Sequence, residues 1–222
     1  MIDIECYISQ LTELLLQHYG SRLVYVGLQG SYLRGEATLE SDIDIMVVID
    51  SLGVSDLNLY RQIIESLPHA DRSCGFICSK DDLANWNPLE ICHLLHSTRD
   101  YFGTLGDLTP EYTREDIRSF VKMSINNLYH EICHRYIHAS PEHSISRLPA
   151  TYKGVFFILQ NLHYLKSGQF IATKNQLLQS LTGKNRAVLE RSIMLNNGTA
   201  LDFQDSFQLL FSWCQETLLT LE

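Results

Sequence analysis

The sequence predicts an α+β chain in two parts: a small mixed-sheet domain over residues 1–108 and an all-α helical bundle over residues 113–222. Three observations predict it. Two runs dense in β-branched residues, Leu23-Val24-Tyr25-Val26 and Ile43-Asp44-Ile45-Met46-Val47-Val48-Ile49, flank a glycine-bearing connection. Helical periodicity takes over beyond Gly106 and Pro110 and persists to the end of the chain. Apolar residues at 45% and charged residues at 19% match an ordinary globular composition, so 222 residues suffice for two modest cores.

Ile8, Leu11, Leu14 and Leu15 recur at helical spacing before Gly20, which predicts a first helix over about residues 4–19. The two strands follow. Ser55 is placed to cap a helix with Leu57, Ile63, Ile64 and Leu67 on one side, and Ser73 to Ser79 is a short apolar run suited to a further strand. Tyr101 to Leu105 supplies a last strand at the domain edge. Beyond the linker, Thr113 with Asp116 forms a capping box ahead of a long helix with a stripe of Ile117, Phe120, Val121, Ile125, Leu128 and Ile132. The segment Ala139–Ser146, with Pro141, closes that helix, and further helices are expected near 149–167, 174–182, 185–195 and 203–220.

A formal charge of −9 opposes stable nucleic-acid binding, which draws affinity from clustered Lys and Arg. The acidic start Met1-Ile2-Asp3-Ile4-Glu5 is unlike a signal peptide, and the longest apolar run, Ile45 to Ile49, is too short to span a bilayer, so a cytoplasmic protein without membrane contact is expected. The six cysteines are scattered, and Cys74 and Cys78 are spaced poorly for zinc or redox chemistry, which predicts reduced, buried thiols. Trp86 and Trp213 are expected to pack in cores and not to stack on bases.

The chemistry concentrates in Gly27-Leu28-Gln29-Gly30-Ser31-Tyr32-Leu33-Arg34-Gly35 and Ser41-Asp42-Ile43-Asp44-Ile45: a Gly-Ser pair, ten residues, then Asp-x-Asp. Strand alternation projects Asp42 and Asp44 together while Ile43 and Ile45 enter the core. Adjacent carboxylates repel one another unless a cation or proton intervenes, and Mg²⁺ suits them because it takes carboxylate, phosphate and water oxygens together. Gly30 lets the backbone approach a phosphate while amides and the Ser31 hydroxyl donate to it. Either half alone is a common turn or strand end; the combination at this spacing carries the weight.

These residues resemble the signature of the DNA polymerase β-like nucleotidyltransferases, and Arg34-Gly35-Glu36 matches the arginine-glycine-acid run frequent there. The catalytic domain followed by helices, with Tyr164-Leu165-Lys166-Ser167-Gly168 leading to Thr173-Lys174, further resembles the aminoglycoside adenylyltransferases. The resemblance implies Mg²⁺ as cofactor, with Asp42 and Asp44 as its ligands and catalytic residues. It also implies an NTP, with ATP favoured, held by Gly30, Ser31, Arg34, Ser41 and Lys174, and an acceptor that is a small molecule or protein of unknown identity. A homodimer is compatible with this plan.

Such enzymes need a third acidic residue, and here the resemblance puts Cys74 at its strand position and Asn161 at the position of a phosphate-binding arginine. Asp71 has the wrong strand parity to replace it, and Glu131 on the long helix is another candidate base. Thr151 stands roughly where the relatives carry an acidic drug contact, so streptomycin-like substrates are not supported. His130-Glu131-Ile132-Cys133-His134 reads H-E-x-x-H, with His138 one further step along the face, but nine histidines make a chance match easy and no third-ligand signature follows. The sequence therefore points to transfer of a nucleoside monophosphate from an NTP to a hydroxyl with release of pyrophosphate. The alternative is a non-catalytic nucleotide-binding module whose third carboxylate has decayed.

Overall fold

A computed structural model describes residues 2–221. The chain forms two compact units divided between Tyr112 and Thr113. In the first, the element order is α1 (Ile4–Tyr19), β1 (Leu23–Leu28), α2 (Gly30–Arg34), β2 (Ile43–Ile49), α3 (Val54–Ser66), β3 (Ser73–Ser79), α4 (Lys80–Ala84), α5 (Pro88–His96) and β4 (Arg99–Phe102). The four strands make a mixed sheet in the order β3-β2-β1-β4, antiparallel except where β2 and β3 run parallel.

Alternation along β2 sorts the unit into layers. Ile43, Ile45, Val47 and Ile49 face a cluster with Tyr7, Ile8, Leu11 and Leu15 of α1 and Ile63 of α3. Met46 and Val48 face the opposite way, toward Tyr25, Cys78, Leu83 and Leu105, with Leu94 and Leu95 of α5 against them. Because both faces are covered, β2 is apolar almost throughout, and a polar residue in it needs a local reason. Asp44 is that residue, half-buried on the Met46 face.

The second unit is all helical: α6 (Arg114–His138), α7 (Pro141–Lys153), α8 (Val155–Ser167), α9 (Lys174–Ser180), α10 (Gly183–Asn196) and α11 (Phe203–Thr220). Thr113 caps α6 reciprocally with Asp116, and Ile117, Val121, Ile125, Leu128 and Ile132 bury its stripe. Buried polar groups are paired: the Tyr152 hydroxyl donates to the Ser206 carbonyl at 2.6 Å, and the Trp213 indole N–H donates to Asn185 Oδ1 at 2.7 Å.

Several local expectations are corrected. Pro141 starts α7 instead of closing the helix before it, and the stretch expected as one helix over 149–167 is two, meeting at Gly154. The cap of α3 is Gly53, whose N–H the Asp56 carboxylate accepts at 2.9 Å; Ser55 lies inside the helix, and Leu57 is exposed. β4 begins at Arg99, two residues ahead of the expected edge strand, and ends before Gly103 at φ +74°. All six cysteines are free thiols, but Cys6 and Cys74 are exposed, contrary to the expected burial. Trp86 stacks on Phe76 at 5.9 Å, and Trp213 is buried.

Candidate active site

The site is built at the ends of β1 and β2, where Gln29-Gly30-Ser31 turns from strand into α2. The Gln29 N–H donates to the Asp44 carbonyl at 2.8 Å, which extends the β1–β2 ladder one step beyond Leu28–Ile45 and puts the turn beside Asp44. Gly30 has φ +69°, and a Cβ placed on it would fall 1.8 Å from Asp44 Oδ2. Only glycine accepts both that backbone and that contact. The glycine of the motif and its second aspartate are therefore in direct apposition, although thirteen residues separate them.

Asp42 lies exposed just before β2 begins, two residues ahead of Asp44. Ser31 is half-buried in the first turn of α2, and its carbonyl accepts from Glu36 N–H at 2.9 Å, closing the helix over Gly35. The Ser41 hydroxyl accepts from Thr38 N–H at 2.9 Å, so it shapes the loop that delivers Asp42. Arg34 donates through Nε to Glu36 at 3.0 Å, with both side chains largely sheltered. This pairing gives the Arg34-Gly35-Glu36 run a structural task.

Sequence reasoning missed one support of this turn and one buried group near the helix that follows it. Gln29 Nε2 donates to Thr98 Oγ1 at 2.9 Å, and Thr98 donates in turn to the Leu94 carbonyl at 2.6 Å, tying the turn to the C-terminal end of α5. His93 on α5 has its pKa pushed down to about 4 by burial first, then by the nearby Arg34 charge and by His96. Thr98 and His93 belong to no short motif, and each is more than sixty positions from Gly30 in the chain.

Cys74 is the pairing partner of Asp44 in the parallel register of β3 with β2, and it is exposed. Asp71 lies in the turn before β3, also exposed. Glu131 lies in the helical unit and is ion-paired to Arg135. Lys174 is the first residue of α9, its ammonium 5.7 Å from the centre of the Phe156 ring. Asn161 is buried in α8 and donates to the Phe157 carbonyl at 2.9 Å; Thr151 is buried in α7 and accepts from Arg135 at 2.6 Å. His130, His134 and His138 form an exposed row on α6 with ring centres 6.0 and 4.8 Å apart. Among the described residues no group of three or more His, Cys, Asp or Glu side chains is arranged to hold a metal ion.

A glycine turn pressed against an aspartate of a mixed sheet, with a second aspartate at the strand's entry, is the arrangement that the Gly-Ser and Asp-x-Asp spacing predicted. Residues 8–77 match the family described as the nucleotidyltransferase domain. A Methanocaldococcus jannaschii protein, assigned by name only as a protein adenylyltransferase, is 38% identical over 65 residues; the match covers 27% of this chain and 65% of that protein's length. The crystal structure of the spectinomycin adenyltransferase AAD(9) of Enterococcus faecialis, with ATP and spectinomycin, superposes with a TM-score of 0.62. It shares 13% sequence identity over 97% of this chain and 99% of the other, a likeness of fold. The nucleotidyltransferase fold and its likeness to the aminoglycoside adenylyltransferases expected from the motif are thus borne out.

Proposed function

We propose that the protein transfers a nucleoside monophosphate, AMP by preference, from an NTP to a hydroxyl of an acceptor and releases pyrophosphate. The observation that carries this reading is the apposition of Gly30 to the Asp44 carboxylate, which puts a phosphate-accommodating turn and a carboxylate at one point. Asp42 and Asp44 offer two carboxylates, fewer than a closed protein cage, which fits Mg²⁺ because it completes its shell with phosphate and water oxygens. When bound, the ion would neutralise phosphate charge. Gly30 and Ser31 would receive the β- and γ-phosphates, with Arg34, Ser41 and Lys174 assisting. The role left to these residues is to hold the reacting groups in line and to offset charge as pyrophosphate departs.

Calorimetric titration with ATP and Mg²⁺ tests the metal site: Asp42→Asn and Asp44→Asn should each abolish ion-dependent nucleotide binding while the protein stays folded. Equal Mg·ATP affinity in wild type and both variants would overturn the assignment. Pyrophosphate release against aminoglycosides, proteins and RNA then tests transfer and identifies the acceptor.

A second reading is favoured by Cys74, which pairs with Asp44 in the register of β2 and β3 where a third carboxylate is expected. A thiol does not serve routinely as general base toward an alcohol, so the domain would bind nucleotide without turnover. Mg·ATP binding with no pyrophosphate release for any acceptor supports this reading over the first.

A further inference from the structure

The helical unit contains a cavity of about 410 Å³ between α6, α7 and α8 that belongs to none of the residues discussed as nucleotide ligands. Its size is ordinary for a small-molecule site. Phe120, Leu128, Phe157 and Ile158 supply apolar wall, and Arg135 and Arg147 supply positive charge. Arg135 is held in place: Nη1 donates to the buried Thr151 hydroxyl at 2.6 Å, and Nη2 pairs with Glu131. Among the described residues Glu131 is the only carboxylate lining this cavity, and also the only one lining the adjoining cavity of about 420 Å³ bordered by His134, His138 and His143. Since Arg135 already neutralises Glu131, the net charge of the lining comes from Arg147, for which no ion pair occurs among the described residues.

In a chain of net charge −9, a cavity whose only unbalanced charge among the described residues is positive is a local inversion of the overall field. A bound cation would meet that charge without a carboxylate to spare, whereas an anion would meet Arg147 at the mouth while an apolar body covers the aromatic wall. We propose that this cavity binds a small ligand with a ring-like apolar body and an anionic head group, carboxylate or phosphate, and rejects amine-bearing ligands of the same shape. The inference stands on the helical unit alone and does not depend on whether the protein transfers nucleotides.

A matched series of one ring with different heads tests it: benzoate, phenyl phosphate, benzyl alcohol and benzylamine, titrated into the full-length protein and followed by amide NMR shifts at Thr151 and Phe157. Benzoate or phenyl phosphate should move these resonances at millimolar concentration, and whichever binds tighter identifies the head group. The neutral alcohol should bind at least about fivefold more weakly, the loss of one partly exposed charge contact. Arg147→Gln, an exposed position on α7, should erase the preference for the anion while leaving alcohol binding unchanged. No shift at Thr151 and Phe157 with any anion, benzylamine binding as tightly as benzoate, or an anion preference that survives Arg147→Gln would each overturn the proposal.

Discussion

Cys74 stands directly across from Asp44 where β3 runs parallel to β2, in register from Ile43–Ser73 to Ile49–Ser79. Side chains of directly paired residues share a face of the sheet, and adjacent strands are about 4.8 Å apart. A glutamate at position 74 would therefore bring a third carboxylate within reach of an ion held by Asp42 and Asp44. Cys74→Glu should strengthen Mg²⁺ binding by about tenfold, measured by calorimetry, and pyrophosphate release should rise with it. Unchanged Mg²⁺ affinity would show that the carboxylates do not converge. Glu131→Gln, assayed in parallel, separates a relocated base from a decayed one: loss of turnover in that variant assigns the base to Glu131.

The Gly30–Asp44 apposition predicts a difference between two glycines of the same short helix. Gly30 and Gly35 share a left-handed backbone, φ +69° and +68°, but a Cβ at Gly35 meets nothing within 4 Å whereas one at Gly30 collides with Asp44. Gly35→Ala should cost about 1 kcal/mol, the conformational penalty alone. Gly30→Ala should cost about 1–3 kcal/mol more, the price of moving a close-packed neighbour. Urea unfolding of both variants in the wild-type and Asp44→Ala backgrounds checks this. The excess at Gly30 should shrink in the Asp44→Ala background, where only the Cβ of residue 44 remains in the way at 3.0 Å, and equal losses in the wild-type background would contradict the apposition.

What could be read from the sequence follows the range of the interactions involved. α1, β2, β3 and the start of α6 were legible to within a residue because their signals are local: an apolar period, a β-branched run, a Thr113–Asp116 box. The Gly30–Ser31 and Asp42–Asp44 halves of the site were legible for the same reason. The short helices α4 and α5 were not, because Ser79 and Asn87 as caps lie in a polar stretch with little periodic apolar content. The Gln29–Thr98 bond and the Arg135–Thr151 bond could not be read at all, since each joins residues of different elements through side chains that are common everywhere on protein surfaces. Pro141 misled because a proline is equally at home after one helix and at the first turn of the next.

The row His130, His134 and His138 predicts a null result with a clear alternative. Adjacent rings are tilted by 36° and 49° to one another along α6, and no acidic or thiol partner converges on them among the described residues. A structural zinc ion would supply much of the folding free energy of its surroundings. Treatment with a strong chelator should thus leave the melting temperature unchanged to within about 2 °C. A larger drop that zinc restores would establish a metal site on α6.

His93 predicts how the sheet domain responds to mild acid. Its folded pKa of about 4 lies below the usual value of about 6.5 for an unfolded chain, because burial on α5 and the Arg34 charge both oppose protonation. Above pH 6.5 the imidazole is neutral in both states and contributes no pH dependence. As pH falls from 6.5 to 4 the unfolded chain takes up a proton that the folded one refuses, so stability declines across that window, by about 3 kcal/mol in all. His93→Gln keeps a polar side chain but cannot titrate. The variant should therefore lose about 2–3 kcal/mol less than wild type between pH 7.5 and 4.5, whatever its stability at pH 7.5. His96, whose pKa burial also lowers, remains in the variant and leaves a residual slope of the same sign. Urea midpoints at the two pH values measure the difference directly. Identical slopes in wild type and variant would mean that His93 accepts its proton in the folded state. An NMR titration of Arg34→Gln supplies the complementary check: removing the guanidinium should raise the His93 pKa while burial still holds it below 6.5.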